Sequence, residues 1–509
     1  MRLLNKNRWV PRALVVLSIV VCLQAVGYGD SKQSTFPVPT SEGVRVASEF
    51  PGSDMGEKIN AAMASFGPVL FGVNQAGSAG GGTVFVPSGQ WTISTPIRMT
   101  SGIRLMGAGR MQTVLRAADG LNHSVILVGV NAAETGTAPS VRFSGIYNLT
   151  VDGNAIHQTA TSHGIHLGSA LRVELRGLRI ENTRNDCIRA DNGAGTGVTG
   201  GNGMLILDDL SLLAPLEGAA PPRSSNGIYL WGVWDSIITE VDYNGLSGSP
   251  SLNGMWLRDS SDLHIAHNMI SGAGNPSDPH CGLPDSACGT GVYIEHCAKV
   301  VLTDNFIDGS KNHGLWIGDS YPWPGGANSL NVTAIGNLIL STSGPGPAIF
   351  VDGLVDGYFI GNIADRSGWN QPVAQQTYGL AVSNDPVTAN IVVLGNKFGG
   401  NAKGEIYDPG GKITSLWTSD SFKLGGAGAH IETGAGSSDL AGTLSISDAT
   451  SNTKTFARPF KSPPTCTLTP TSNPSGLSWW VSTTTSSLTA QLSTPGTVSF
   501  NYSCFGNPD

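Results

Sequence analysis

The chain has 509 residues, a formal charge of −8, 13% charged residues and 68 glycines. There is no basic excess to neutralise phosphates, which excludes nucleic acid as a partner. So little charge and so much glycine disfavour a helical protein and point to strands joined by tight turns.

The opening residues read as an export signal. Arg2, Lys6, Arg8 and Arg12 make a basic start, residues 13–23 are apolar, and Ala25, Gly27 and Gly29 are small. That order describes a secretory signal peptide over 1–29, cleaved near Gly27 or Gly29. Cys22 follows Val20 and Val21 rather than small residues, so a lipoprotein is not expected. The apolar run is too short to span a bilayer and no later run is long enough, so the expected product has no membrane span and is secreted, extracellular or periplasmic. Losing four cations with the signal takes the formal charge from −8 to −12. Residues 30–53 read as an N-terminal extension.

The remaining length exceeds one ordinary core, which calls for several domains or a repeat array. Asp54 and Glu57 form a capping-box pattern, and Met55, Ile59, Ala62, Met63 and Phe66 fall on one helical face. Such a helix would plug the open end of a strand array. Repeats then follow, Gly-apolar-X-apolar segments at 164–167, 227–230, 254–257, 291–294, 314–317 and 379–382, with Cys187 and Ala348 in place of the Gly at 187–190 and 348–351. After each comes a second β-rich run, such as 263–266, 300–303 and 391–394, and then an Asn before a third short strand: Asn268, Asn305, Asn337, Asn362 and Asn396. Three strands per coil with an Asn at one corner describe a parallel β-helix, the Asn side chains stacking inside the turn and bonding neighbouring coils.

The helix at 54, the glycine-rich turn at 80–82, the strand 83–91 and the turn 105–109 resemble the start of the pectate-lyase-like superfamily, which includes pectate lyases, tailspike depolymerases and several glycosidases. The resemblance spans roughly residues 54–410 and implies a right-handed parallel β-helix over 54–424 acting on polysaccharide, with the reaction left open because this fold carries many chemistries. Asn185–Cys187 and Asn312–Gly314 resemble parts of polygalacturonase signatures, but they lie four coils apart, one Asp precedes Cys187, and no Arg-Ile-Lys follows. Those roles are not carried over.

Beyond a Gly-rich linker at 425–439, residues 440–509 alternate Thr and Ser with apolar residues and read as a small C-terminal β-sandwich. It resembles sandwich modules attached to exported bacterial proteins. Cys466 and Cys504, in its early and last strands, would staple it. Alternation puts one of Trp479 and Trp480 inside. Of the other cysteines, Cys281 and Cys288 share the loop 271–290, while Cys187 and Cys297 read as core thiols. No zinc or calcium spacing is present around Asp278, His280 and His296, so no metal and no cofactor are expected. Nothing in the sequence sets an oligomeric state.

In each Gly-apolar-X-apolar strand the apolar positions point inward and X outward. The outward series is His166, Arg189, Tyr229, Trp256, Tyr293, Trp316, Phe350, Ala381. Five successive aromatic rings form either a platform for sugar faces or a second core under the loops, and the platform is the reading adopted. The insertions 214–225, 271–290 and 365–377 precede this strand and 319–329, with Tyr321 and Trp323, follows it. They would wall a groove.

Two residues beyond X lie Asp191, Trp231, Arg258, Glu295, Gly318 and Asp352, with Asp259 and Asp319 one residue later. Glu295 and Asp319 belong to adjacent coils, about 5 Å apart, and Glu295 and Asp352 lie two coils apart, nearer ~9 Å. The expected catalytic group for hydrolysis is Glu295 with Asp319 or Asp352, tuned by Arg258 and His313. Tyr229, Trp256, Tyr293, Trp316, Phe350 and Trp323 would bind sugar. A second constellation, Arg172, Arg176, Arg179, Arg184 and Arg189 with His166, Asp186 and Asp191, would suit a uronate, with Arg189 acting on the proton removed in β-elimination. The expected function is therefore a secreted polysaccharide-cleaving enzyme, a glycoside hydrolase ahead of a lyase, the competing class being a non-catalytic polysaccharide-binding or attachment protein.

Overall fold

The computed structural model describes residues 43–67, 81–136, 138–191, 201–213, 226–245, 252–274, 289–318, 328–342, 346–364, 376–418, 422–423, 441–456, 459–471, 473–474 and 476–505. The signal sequence, the linker 425–439, Asp319, Tyr321, Trp323, Cys281 and Cys288 lie outside them.

The first helix, Met55–Ala64, starts where the capping box places it. Asp54 accepts from the Glu57 N–H at 3.0 Å, and Glu57 reaches back to the Ser53 N–H at 2.7 Å. Its face of Met55, Ile59, Ala62 and Met63 is buried against the first coil. Just before it, Val44–Val46 pairs in parallel with Gly82–Val86, so the end of the expected extension contributes a strand to the helix.

The body is a right-handed parallel β-helix. One face is an eleven-stranded sheet, here sheet I, running from Ile97–Met99 through Ile126–Val128, Ile165–Leu167, Ile188–Ala190, Ile228–Trp231, Met255–Arg258, Val292–Glu295, Leu315–Gly318, Ile349–Asp352 and Tyr378–Val382 to Gly404–Tyr407. The rest of each coil forms a twenty-stranded sheet that bends through the Asn corner. Ile228, Met255, Val292, Leu315 and Ile349 stack in one inward row and Leu230, Leu257, Ile294, Ile317 and Val351 in another, all fully buried. Period-two alternation therefore fixes what faces outward on sheet I.

The Asn corner is a continuous ladder. Each side-chain amide donates to the next Asn carbonyl oxygen, from Asn268 through Asn305, Asn337 and Asn362 to Asn396, at 2.8–2.9 Å. Each also donates to a backbone carbonyl, for example Asn337 Nδ2 to Leu302 O at 3.1 Å. At the opposite end of sheet I a second polar ladder precedes the strands, in which Asn253 donates to Asn226 and Asn226 to Asp186.

The C-terminal residues form one four-stranded antiparallel sheet rather than two separate ones. The long strand Ser487–Phe505 pairs with Ala441–Thr455 along one side and with Trp479–Thr483 and Thr465–Pro470 along the other. Register shifts around Ala449 divide it into halves that share one core of Leu444, Ile446, Leu488, Leu492, Phe500 and Tyr502. Cys466 and Cys504 form a disulfide across it. Trp479 and Trp480 are both exposed, because their strand pairs on one side only and Trp479 leans on Phe500 at 6.2 Å without being covered. Cys187 and Cys297 are buried free thiols whose pKa values burial pushes up to about 12.

Candidate active site

Sheet I brings the outward residues into two parallel rows. In the first, His166, Arg189, Tyr229, Trp256, Tyr293, Trp316, Phe350 and Ala381 are in register strand by strand. In the second, Trp231, Arg258, Glu295, Gly318 and Asp352 align likewise. The rings of the first row pack on one another, Tyr229 on Trp256 at 5.1 Å, Trp256 on Tyr293 at 5.7 Å, Tyr293 on Trp316 at 5.1 Å and Trp316 on Phe350 at 5.6 Å. They do not form the exposed platform expected from the sequence. Tyr293 and Trp316 are 0% and 2% exposed, and only Trp256 and Phe350 are half-buried. A ring reaches farther than the ~4.8 Å strand spacing, so each covers its neighbour.

Glu295 ends the strand Val292–Glu295 and is buried. Burial raises its pKa, against the nearby Arg258 charge and the hydrogen bond from Trp256. Trp256 Nε1 donates to its Oε2 at 3.0 Å, and Arg258 Nε stands 3.6 Å from the same oxygen. The guanidinium of Arg258 also lies 4.8 Å over the ring of Trp231. One residue past this row the chain turns through the left-handed region, at Asp259 (φ 46°) and His296 (φ 51°). That turn puts Asp259 within 3.4 Å of His296 Nδ1 and lets Trp231 Nε1 donate to it at 2.7 Å. Burial opposes ionisation of Asp259, but its bonds to His296 and Trp231 and the Arg258 charge outweigh it and lower the pKa.

Asp352 holds the same row position two strands beyond Glu295, with Gly318 between them, and is half-buried. It accepts a hydrogen bond from Ser383 Oγ, a partner that no motif announced. His313 sits beneath the row, stacked on Phe350 at 5.1 Å and edge-on to Trp316 at 5.0 Å. Its Nδ1 lies 3.3 Å from the Pro347 carbonyl, which only accepts, so Nδ1 carries the hydrogen. Burial pushes the His313 pKa down to about 4, which keeps the ring neutral.

The second constellation is divided by the fold. Arg189 points into the first row, 4.6 Å over the ring of Tyr229. It is bound by Asp191 at 2.6 Å and Asp186 at 3.2 Å. Burial works against its charge, but these two carboxylates raise its pKa, so it stays protonated and is a poor proton acceptor. Beside it, His166 lies between Glu134 and Asp191, 2.9 Å from each. Burial disfavours its cation, yet the two carboxylates raise its pKa, and they themselves are held well ionised, Glu134 down to about 2. Glu134 was not legible in the sequence, since it stands outside any repeat. Arg176 and Arg179 pair with acids in the other sheet, Arg172 covers Phe143, and Arg184 donates to the Gln158 carbonyl. These four are not part of the sheet I face. No group of His, Cys, Asp and Glu suited to a metal ion occurs among the described residues.

Known proteins resemble the chain as follows. Residues 52–218 match the family model described as rhamnogalacturonase A/epimerase, pectate lyase-like. Alginate lyase 7 of Azotobacter vinelandii is 28% identical over 127 residues, which is 24% of this chain and 14% of that protein, so the match spans about a seventh of that relative. Among solved structures, the A-module of the Azotobacter vinelandii mannuronan C-5 epimerase AlgE6 superposes with a TM-score of 0.52 at 16% identity, covering 73% of this chain and 98% of that one. An alginate lyase from Paenibacillus sp. str. FPU-7 gives a TM-score of 0.45 at 12% identity, covering 70% of this chain and 96% of that one.

Proposed function

We propose that this pectate-lyase-like β-helix protein cleaves an extended polysaccharide laid along sheet I, by hydrolysis, with Glu295 as acid and Asp352 as base. One observation carries the reading. A carboxyl group whose pKa is raised by burial shares a row with a second, half-buried carboxyl group two strands away, and the residue between them is glycine. Two strand spacings put the backbones roughly 9.5 Å apart, compatible with the ~6.5–9.5 Å separation that leaves an inverting glycosidase room for its water. Glu295 gives its proton to the leaving glycosidic oxygen as the carbon–oxygen bond breaks. Asp352 takes a proton from the water whose oxygen bonds to the anomeric carbon. The carboxylate left on Glu295 meets the Trp256 N–H at 3.0 Å and the Arg258 guanidinium at 3.6 Å, which stabilise it. Asp319, next in sequence after Gly318 and outside the described residues, is the alternative partner expected from the sequence, and a closer pair of carboxyl groups would suit a retaining reaction.

Trp256, Phe350 and Trp231 offer the accessible ring surface for sugar, packed on Tyr229, Tyr293, Trp316 and His313, and Trp323, outside the described residues, is a further candidate from the sequence. Export to the extracellular space or periplasm is supported by the basic–apolar–small N-terminus and by the Cys466–Cys504 disulfide. The division into helix (54–424), linker (425–439) and C-terminal module (440–509) is supported by two separate hydrophobic cores.

A second reading, elimination on a uronate chain, is favoured by the partial match to an alginate lyase. Arg189 would then neutralise a uronate carboxylate, since its own proton is held too firmly to exchange. Mass spectrometry of products from a panel of neutral and uronate polysaccharides separates the readings. Hydrolysis adds one water per cut and elimination leaves an unsaturated end. A polymer that is bound but left intact would refute both.

A further inference from the structure

Among the described residues, Trp316 Nε1 and His313 Nε2, buried in the middle of the sheet I face, have no hydrogen-bond partner. Trp316 is 2% exposed, and its Nε1–H donates to nothing. His313 is 4% exposed, and its Nε2, the nitrogen left with the lone pair once Nδ1 faces the Pro347 carbonyl, accepts from nothing. Buried donors and acceptors are nearly always paired, and an unpaired one lowers stability, so a pair of them on touching rings marks a place completed by something else.

Gly318 fixes where the donor stands. A Cβ at this position would lie 2.6 Å from the Asp352 backbone carbonyl oxygen, 2.6 Å from Trp316 Nε1 and 3.1 Å from Asp352 Cβ. The indole N–H therefore occupies the side-chain place that glycine leaves open, in the row between Glu295 and Asp352. Any other residue at 318 would crowd the indole and the Asp352 backbone together. One donor and one acceptor match a hydroxyl group, which is both; a carboxylate would leave the bare His313 nitrogen unmet.

We infer that Trp316 acts through its N–H, holding a hydroxyl oxygen of the sugar unit that lies between Glu295 and Asp352, while His313 Nε2 accepts a hydroxyl hydrogen. This rests on the polysaccharide reading above and narrows it. The sugar unit between the carboxyl groups presents a free hydroxyl to the sheet, and a chain etherified or acylated there is not accepted.

The test uses the full chain and two probes, cello-oligosaccharides and mannuronate oligosaccharides, with binding measured by calorimetry. The Trp316 indole signal in a proton–nitrogen spectrum is assigned by its loss in Trp316→Phe, which keeps an aromatic ring and removes the N–H. A bound probe should move that signal downfield, and Trp316→Phe should weaken probe binding about ten-fold, the loss of one hydrogen bond. A probe that binds while the indole signal stays still, or binds Trp316→Phe unchanged, would overturn the hydroxyl site and leave the polysaccharide reading standing. If neither probe nor any polysaccharide of the panel binds, both fall together.

Discussion

Replacing Asn337 by Leu tests what holds the coils in register. The side chain is 1% exposed and makes four hydrogen bonds. Its Oδ1 accepts from Asn305 N at 3.0 Å and Asn305 Nδ2 at 2.8 Å, and its Nδ2 donates to Leu302 O at 3.1 Å and Asn362 Oδ1 at 2.9 Å. Leucine fills similar space and makes none of them. Two of the abandoned groups keep another partner: Asn362 Oδ1 still receives the residue 337 N–H at 3.0 Å, and Asn305 Nδ2 still reaches Ile265 O at 3.0 Å. The Asn305 N–H loses its partner, while the Leu302 carbonyl, inside a strand paired on both sides, loses one of its bonds. At about 1–3 kcal/mol for a buried group left unpaired, the expected loss is roughly 1–3 kcal/mol. Guanidinium unfolding followed by far-UV circular dichroism should show the lower midpoint with an unchanged slope. Hydrogen exchange should find the Asn305 amide among the most deprotected in the variant. A loss below about 0.5 kcal/mol with Asn305 still protected would mean that the inward apolar rows hold the corner and the ladder is incidental.

Glu295→Gln keeps the size and the Trp256 bond but cannot donate the acid's proton, so cleavage should fall by roughly a hundred-fold or more with binding retained; full activity would remove Glu295 from the chemistry. Folded His313 resists protonation down to about pH 4, while the unfolded ring takes up its proton near pH 6.5. Between those values the unfolded state binds the extra proton, so this residue's contribution falls as pH drops from about 6.5 to 4 and is level below that, by roughly 3 kcal/mol in all. The difference between wild type and His313→Phe in denaturation midpoints across that range should show this slope, and parallel profiles would contradict it. Arg189→Ala leaves fully buried Asp186 without its guanidinium and should destabilise the chain by about 3–5 kcal/mol. Unchanged products in that variant fit hydrolysis, whereas activity lost in a folded variant, with unsaturated products from the wild type, would transfer the reaction to the uronate reading.

The outward rows were legible because side-chain direction in a strand has period two and the inward residues are uniformly apolar, so one register satisfied eight strands. The Asn ladder was legible because one residue type recurs in one phase. Depth was not legible. Alternation says which side of the sheet Tyr293 faces, but not that Trp256 and Trp316 will close over it. The first strands, Ile97–Met99 and Ile126–Val128, were missed as members of sheet I because Pro96 and Val125 precede them where the repeat has a small residue. A further regularity was hidden in the turns. Phe143, Arg172, Met204, Asp235, Asp262, Lys299, Asn331, Asp356 and Asn390 all have φ between 50° and 61°, at the corner that leads into the second sheet. Five of the nine are Asn or Asp, which tolerate this region, while Phe143, Arg172, Met204 and Lys299 share the same left-handed backbone without that preference, so composition alone would not find them.

The two ends of the sheet I face differ in how completely their polar groups are answered, and that difference assigns their roles. Around Arg189 each buried charge has a counter-charge in contact: His166 with Glu134 and Asp191, Arg189 with Asp191 and Asp186, and Asp186 also with His163 at 3.3 Å. Substrate brought there would have to displace an existing ion pair, which is unfavourable in a buried setting. Around Glu295 the balance is incomplete. Arg258 stands 3.6 Å off, the Glu295 pKa is raised, and on the adjacent strand and the turn before it Trp316 Nε1 and His313 Nε2 have no partner among the described residues. A fold that satisfies one cluster so fully and leaves the next unsatisfied gives up stability at the second place, and uncompensated buried groups of this kind gather where a ligand supplies the missing partners. The chemistry is therefore assigned to the strands from Met255–Arg258 to Ile349–Asp352, and the Arg189 cluster to holding the coils beside them.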